Sequence, residues 1–267
     1  MKPSPRFSRL RGRLRIGPDF FARRGYVVAG EARGVIDRIA DLAHPGIDVA
    51  RVHPAIVAFF EDTAGLELLV RSRWRWPVAW AWWLWRWVMR AIGQFVLPMR
   101  EARIATAVHA LDAAADGRPG ARAVVRTYAD TGRVMQAVAY ATWTRGDRRY
   151  MSAAFPMPLG QIAGILRLDA LAEETGCLAI ELTSRRQARD DAGVWFVLGP
   201  LAIRSPFGER LRLWSADMRC APPALAAAPL PGATIVGEHI QTLFGFRFVT
   251  HHYWFRPGAD RALPSRT

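Results

Sequence analysis

Residues 74–97, WRWPVAWAWWLWRWVMRAIGQFVL, hold seven of the chain's eleven tryptophans and stand where its texture changes. Pro77 suits the first turn of a helix, whose N–H groups lack partners in any case, and Pro98 closes the segment. Between them Trp80, Trp83, Leu84, Trp87, Ala91 and Phe95 recur at helical spacing, while Trp82, Arg86, Arg90 and Gly93 form a second, narrower stripe. The spacing predicts one amphipathic helix from Val78 to Leu97 with a wide aromatic face.

Three surroundings compete for that face. A span needs ~20 predominantly apolar residues, and Arg86 and Arg90 near the centre cost ~2.5–3.5 kcal/mol each on insertion scales, which disfavours crossing. Tryptophan prefers the headgroup boundary, where its ring is apolar and its N–H stays wet. Arg71, Arg73, Arg75, Arg100 and Arg103 flank the segment and would attract anionic lipid. The third environment is a protein core, with the rings plugging the open side of a sheet.

The segments after Pro98 decide the fold class. Extended runs follow one another with turn residues between them: 103–111, 121–128, 134–144, 150–155, 162–168, 178–183, 194–198, 210–214 and 234–255. Leu178, Ile180 and Leu182 alternate with Ala179, Glu181 and Thr183, the period of a strand with two different faces. Such spacing without long intervening helices argues for a curved or closed antiparallel sheet. Ala221 to Pro231, APPALAAAPLP, is a proline-alanine linker unsuited to a central strand. The run 234–255 exceeds a usual strand of ~5–6 residues, and Gly245 marks a bulge or bend in it.

Working back from the tryptophans, Leu66 to Val70 reads as extended and His53-Pro54 opens a short helix, HPAIVAFFED. Gly25, Gly30 and Gly34 lack the spacing of a dinucleotide fingerprint. Residues 1–24 hold eight basic residues and one acid, Asp19, and read as a basic, disordered arm. Residues 25–267 read as a single domain, with a helical part over 25–98, an antiparallel part over 99–256 and a tail over 257–267. MKPSPRFSRLRGRLRIGPDF has the charges of a secretory leader without the apolar run behind them, so the expected location is the cytoplasm or the inner face of its membrane.

The net charge of +14 suggests a polyanionic partner. Lys2 is the only lysine, however, so arginine supplies the other 36 positive charges, a bias that GC-rich coding also produces. RSRWRW superficially fits a single-strand nucleic-acid groove, but its aromatics run into an unbroken apolar helix, which suits lipid or core better. Nucleic acid is therefore disfavoured as a partner. Cys177 and Cys220 have no metal-ligand spacing and read as reduced thiols.

With the His53-Pro54 helix, the tryptophan segment ending at Leu97-Pro98 and the β run in view, the chain resembles uncharacterised bacterial domains that carry these features in the same order. LAIRSPFGERLRLW and FGFRFVTHHYWF are similar to stretches of such proteins, some of which accompany membrane-associated partners. The resemblance implies a fold and offers no catalytic residue to carry over.

An enzyme reading draws on Glu238, His239 and His252. Glu238 and His252 share parity, yet fourteen residues at ~3.3 Å apiece separate them unless the strand bends sharply. His251 and His252 are adjacent, face opposite ways and cannot both reach one metal from a regular strand, so no metal or cofactor is expected. No G-x-S-x-G motif accompanies the serines.

The sequence therefore predicts an α+β fold: N-terminal helices, including the tryptophan-rich one, packed on a large curved antiparallel sheet or partly closed barrel of about eight to ten strands. The expected function is non-enzymatic binding of a lipid or other apolar molecule at an anionic membrane surface. Contact would come through Trp80, Trp82, Trp83, Trp85, Trp87, Arg86 and Arg90. The alternatives are an enzyme acting on an apolar substrate in the same cup, and a subunit docking a protein partner through the tryptophan helix.

Overall fold

The alternating segments form a closed ring in the computed structural model, which describes residues 6–12, 15–30, 32–187, 191–226 and 229–258. Twelve strands are present: β1 (Leu66–Trp74), β2 (Glu101–Ala110), β3 (Arg122–Tyr128), β4 (Val134–Arg145), β5 (Arg148–Met157), β6 (Gly160–Glu174), β7 (Cys177–Thr183), β8 (Gly193–Leu198), β9 (Leu201–Arg204), β10 (Phe207–Ser215), β11 (Ile235–Leu243) and β12 (Phe246–Pro257). Ten of them close in the order β5-β4-β3-β2-β1-β12-β11-β10-β7-β6, with β5 pairing back onto β6, and every pairing is antiparallel. Closure leaves the ring without an edge strand. The β8–β9 hairpin pairs with the first half of β6, above the point where β7 takes over.

Period-two alternation sorts the residues into two environments. Leu68, Val70, Ile104, Val124, Val138, Met151, Ile180, Leu213, Ile235 and Phe255 point inward and share one cluster. Helix α2 (Pro54–Glu61) and two 3-10 turns, Ile39–Leu42 and Val49–Arg51, close the lower mouth with Phe59, Phe60, Ile56 and Leu42. His53 is the helix's N-cap: its Nδ1 accepts the Ala55 N–H at 3.2 Å.

The outward residues of β3 to β5 are mostly alanines, Ala123, Ala137, Ala139, Ala141 and Ala154, and small side chains let another segment lie close. Leu10, Ile16, Phe20 and Phe21 fill that wall, with α1 (Phe20–Arg23) at the end of the run. The described part of the basic arm is thus packed on the barrel, contrary to the disorder expected from its charge. Its anchor is a fully buried ion pair beside α4 (Ala113–Asp116): the Arg118 guanidinium donates to Asp116 at 2.6 and 2.9 Å and also to Ser152 Oγ and the Ala139 carbonyl. Ser8 Oγ donates to the same carboxylate at 2.6 Å. On the opposite wall, the proline-alanine linker and α5 (Pro223–Ala226) cover Trp214 and Trp254, whose indole N–H donates to the Leu225 carbonyl.

Two expectations are corrected. The part before Pro98 is not mainly helical: it contributes β1, a full member of the ring, and the molecule is barrel-dominated with little helix. The run 234–255 is two strands joined by a hairpin at Phe244-Gly245, where both residues adopt positive φ. Glycine tolerates that conformation at no steric cost and supplies the bend.

Candidate functional site

Strand directions put five turns at the upper mouth: the long excursion 75–100 between β1 and β2, and the turns at 129–133, 158–159, 199–200 and 244–245. The exposed large apolar side chains gather there. They comprise Trp76, Trp80, Trp83, Leu84, Trp85, Trp87 and Val88 on the excursion, Leu159, Leu198, Leu201, Ile203 and Phe207 on neighbouring strand ends, and Phe244 and Phe246 on the last hairpin. Among the described residues, Val28 alone of the exposed large apolar side chains lies elsewhere. A chain of ring contacts, Phe196–Phe207–Phe248–Trp74–Trp82, links the hairpins to the excursion across this end.

Helix α3 (Val78–Ile92) is five residues shorter at its C-terminus than the periodicity implied, because Gly93 enters the left-handed region at φ 71° and ends it. Among the described residues no helix is long and apolar enough to cross a membrane. The arm holds the helix end: the Ile16 and Gly17 N–H groups donate to the Ile92 and Gly93 carbonyls, and a side chain at Gly93 would meet the Gly17 backbone at 2.8 Å. Gln94, wholly buried, then fastens the segment to β4 and β5 through Ala137 N–H, Ala137 O and Pro156 O.

The helix is mounted with its polar stripe inward. Trp82 stacks on Trp74 at 4.8 Å, Met89 is buried, and Arg86 and Arg90 are half-buried. Trp80 is 63% exposed, and Trp83, Trp85 and Trp87 about half. Of the contact residues named from sequence, Trp80, Trp83, Trp85 and Trp87 thus form the outer face, whereas Trp82 belongs to the docking stripe. Arg86 lies over the rings of Trp83 and Trp87, and Arg90 over Trp87 at 4.9 Å.

Beneath those arginines a groove of about 740 Å³ runs between α3 and the tops of β1 to β4. Arg100, Arg103 and Arg133 complete its basic lining, and Glu101 and Asp130 are its carboxylates. Glu101 is held by Arg71 at 2.6 Å. Tyr128 donates its hydroxyl to the Val96 carbonyl at 2.7 Å, and burial pushes that hydroxyl's pKa up to about 12. Arg133 is absent from the sequence expectation; it lies on a turn distant in sequence, and only the barrel brings it near Arg86.

The catalytic candidates separate. Glu238 and His252 are cross-strand partners on the outer wall, 3.8 Å apart, because the hairpin folds one onto the other. The sequence reading against their pairing is corrected. The facing His252 imidazole, together with Arg212, holds the Glu238 carboxyl below the usual range, against burial. His239 instead faces the interior: Nε2 lies 3.2 Å from Glu209 Oε2 and Nδ1 3.1 Å from Tyr253 Oη.

His251 lies beside it, with Nδ1 2.7 Å from Ser72 Oγ. Tyr140 and Arg126 approach from the far wall, so six strands meet in one polar layer above the apolar plug. Gly164 makes room for it, since a Cβ there would lie 2.4 Å from Glu209 Oε1. Burial raises both Tyr140 and Tyr253 and, joined by the charges of His239 and His252, lowers His251 to about 3. Sequence reasoning missed Glu209, Tyr253, Ser72 and Arg126; recognising the hairpin would have recovered Tyr253 alone, because residues 237, 239 and 241 then share a face with 249, 251 and 253. Among the described residues no group of three His, Cys, Asp or Glu is placed to hold a metal ion, and Cys177 and Cys220 are free.

Fold and site define a closed antiparallel barrel with one mouth stoppered by apolar helices and the other crowned by exposed aromatics over a basic groove. No protein-family model matches the chain, and no solved structure matches it. The chain is similar to "Uncharacterized membrane protein YndJ" of Bacillus subtilis (strain 168), 24% identical over 251 residues. The match covers 92% of this chain and 42% of that protein, so the chain spans less than half the length of this relative. The likeness agrees with the expected resemblance to bacterial proteins of uncharacterised function.

Proposed function

We propose that the protein is a non-enzymatic module that docks peripherally on a membrane surface through the crowned mouth of its barrel. One observation carries the reading: an amphipathic helix is mounted inside out, its aromatic face to solvent and its arginines toward the body. Soluble proteins rarely leave apolar patches of more than a few hundred Å² uncovered, and four half-exposed indoles with the neighbouring hairpin tips form such a patch. An interfacial helix inserts ~5–10 Å into the headgroup boundary, where indole is favoured. The name of the Bacillus relative, an uncharacterised membrane protein, points the same way.

Binding of an apolar molecule inside the barrel receives less support, because a layer of buried polar groups lies across the middle of the interior. The enzyme reading has a hydrogen-bonded Glu209–His239–Tyr253 chain, but no reacting group in a cleft goes with it. Flotation with vesicles tests the docking proposal. The wild type is expected to float, and Trp80→Ser/Trp83→Ser/Trp87→Ser to stay at the bottom with unchanged thermal stability. A wild type that never floats, or a triple variant that floats equally well, overturns it.

A further inference from the structure

We infer that the groove between α3 and the barrel is a binding site for the phosphate of an anionic phospholipid headgroup. The inference rests on the docking proposal and makes it specific. Arg86 and Arg90 come from the helix, and Arg100, Arg103 and Arg133 from the strand tops. Against these five cations stand Asp130 and Glu101, the latter already engaged by Arg71.

What the two helix arginines lack is the stronger argument. Neither Arg86 nor Arg90 donates a hydrogen bond or joins an ion pair with any described residue, and the Nε of each is buried without a partner. The Arg86 guanidinium carbon lies 5.6 and 5.2 Å from the Trp83 and Trp87 ring centroids and that of Arg90 4.9 Å from Trp87, so indole rings flank both groups. A guanidinium carries its N–H donors in one plane, the fork that suits a phosphate with two oxygens in reach. Buried donors without acceptors are costly, and a phosphodiester supplies acceptors and charge together. Those same rings form the exposed face, so a lipid whose phosphate sits in the groove lays its acyl chains along Trp83 and Trp87. A free phosphate would satisfy the arginines but leave the aromatic face uncovered, which favours the lipid as the occupant.

The full chain is titrated with vesicles of phosphatidylcholine alone and of phosphatidylcholine with phosphatidylglycerol. It is also titrated with monomeric short-chain phosphatidylglycerol and with inorganic phosphate, each read by tryptophan fluorescence. Three proteins are compared: wild type, Arg86→Gln/Arg90→Gln, and Arg75→Gln/Arg247→Gln, which removes the same charge from exposed positions at the same mouth. A basic residue near an anionic surface contributes ~1 kcal/mol, about fivefold in affinity, so diffuse attraction alone would weaken both variants equally, by roughly thirtyfold.

The inference expects the groove pair to lose clearly more, and to lose the fluorescence response to the short-chain lipid that the other pair retains. Arg100→Gln/Arg133→Gln, on the opposite wall, is expected to repeat the loss without touching the helix. Equal losses in the two first variants, or an unaltered response to the short-chain lipid, overturn the groove while leaving docking intact. Equal competition by inorganic phosphate would assign the site to free anions and overturn the lipid. If no vesicle binds the wild type, docking fails, and the short-chain lipid titration still decides the groove.

Discussion

Acid should loosen this barrel from the inside, and His251 is the reason. Its Nδ1 is committed to Ser72 Oγ and its Nε2 is buried without a partner, so protonation would add charge and make both nitrogens donors with an acceptor for only one of them. Burial holds the imidazole at about 3 in the fold, whereas in an unfolded chain it titrates near 6.5. Because the folded value is depressed, the unfolded chain takes up a proton that the barrel refuses. Stability is therefore complete above about pH 6.5, falls as pH drops and levels off only below about pH 3. At 1.36 kcal/mol per unit, the loss between pH 7 and 5 is about 2 kcal/mol. Urea unfolding at both pH values, followed by tryptophan fluorescence, measures it directly. His251→Gln should start less stable but show a shallower pH dependence over that window. A wild type that loses less than about 0.5 kcal/mol, or a variant with the same loss, would refute the linkage.

Three further outcomes follow from the packing. Arg118→Ala should destabilise by about 3–5 kcal/mol in chemical denaturation, since it strands the buried Asp116 carboxylate, and should expose residues 6–12 to proteolysis; a change below about 1 kcal/mol would contradict the anchoring role. Gly164→Ala must push the Glu209 carboxylate away from His239, at about 1–3 kcal/mol, and a histidine NMR spectrum with unchanged His239 resonances would speak against it. Trp82→Ala should cost about 1–3 kcal/mol through its lost stack on Trp74, whereas Trp85→Ala should change stability by less than about 0.5 kcal/mol yet weaken vesicle binding; thermal melts and flotation together separate the two roles.

The architecture was legible where physics is local. Alternation revealed nearly every strand after Pro98, and the two stripes on α3 correctly grouped Trp82 with Arg86 and Arg90. What periodicity cannot supply is which stripe faces the protein. By composition the aromatic face looks like core, and only the barrel's own stoppered interior leaves it outside. The helix end was misplaced because Gly93 read as a member of a stripe, when its freedom at positive φ made it a cap. Glu238 and His252 were judged remote because a single extended run was assumed across Phe244-Gly245, and the arm was read as free because its charge hid the spacing of Leu10, Ile16 and Phe20. The rest of the polar layer was out of reach, since Ser72, Arg126 and Glu209 come from strands whose neighbours are set by ring closure.

The excursion that carries α3 leaves β1 and rejoins β2 at positions already hydrogen-bonded to each other, with the Ser72 N–H on the Arg100 carbonyl and Arg71 opposite Glu101. Barrel register therefore does not pass through the helix. The tryptophan helix is an insertion into an intact hairpin, so its outer face can change chemistry while the pairing of β1 with β2 stands, with Gln94 keeping the return limb on β4 and β5. Adhesion and architecture can diverge in such a molecule, because the rings turned to solvent are not the residues that set the barrel.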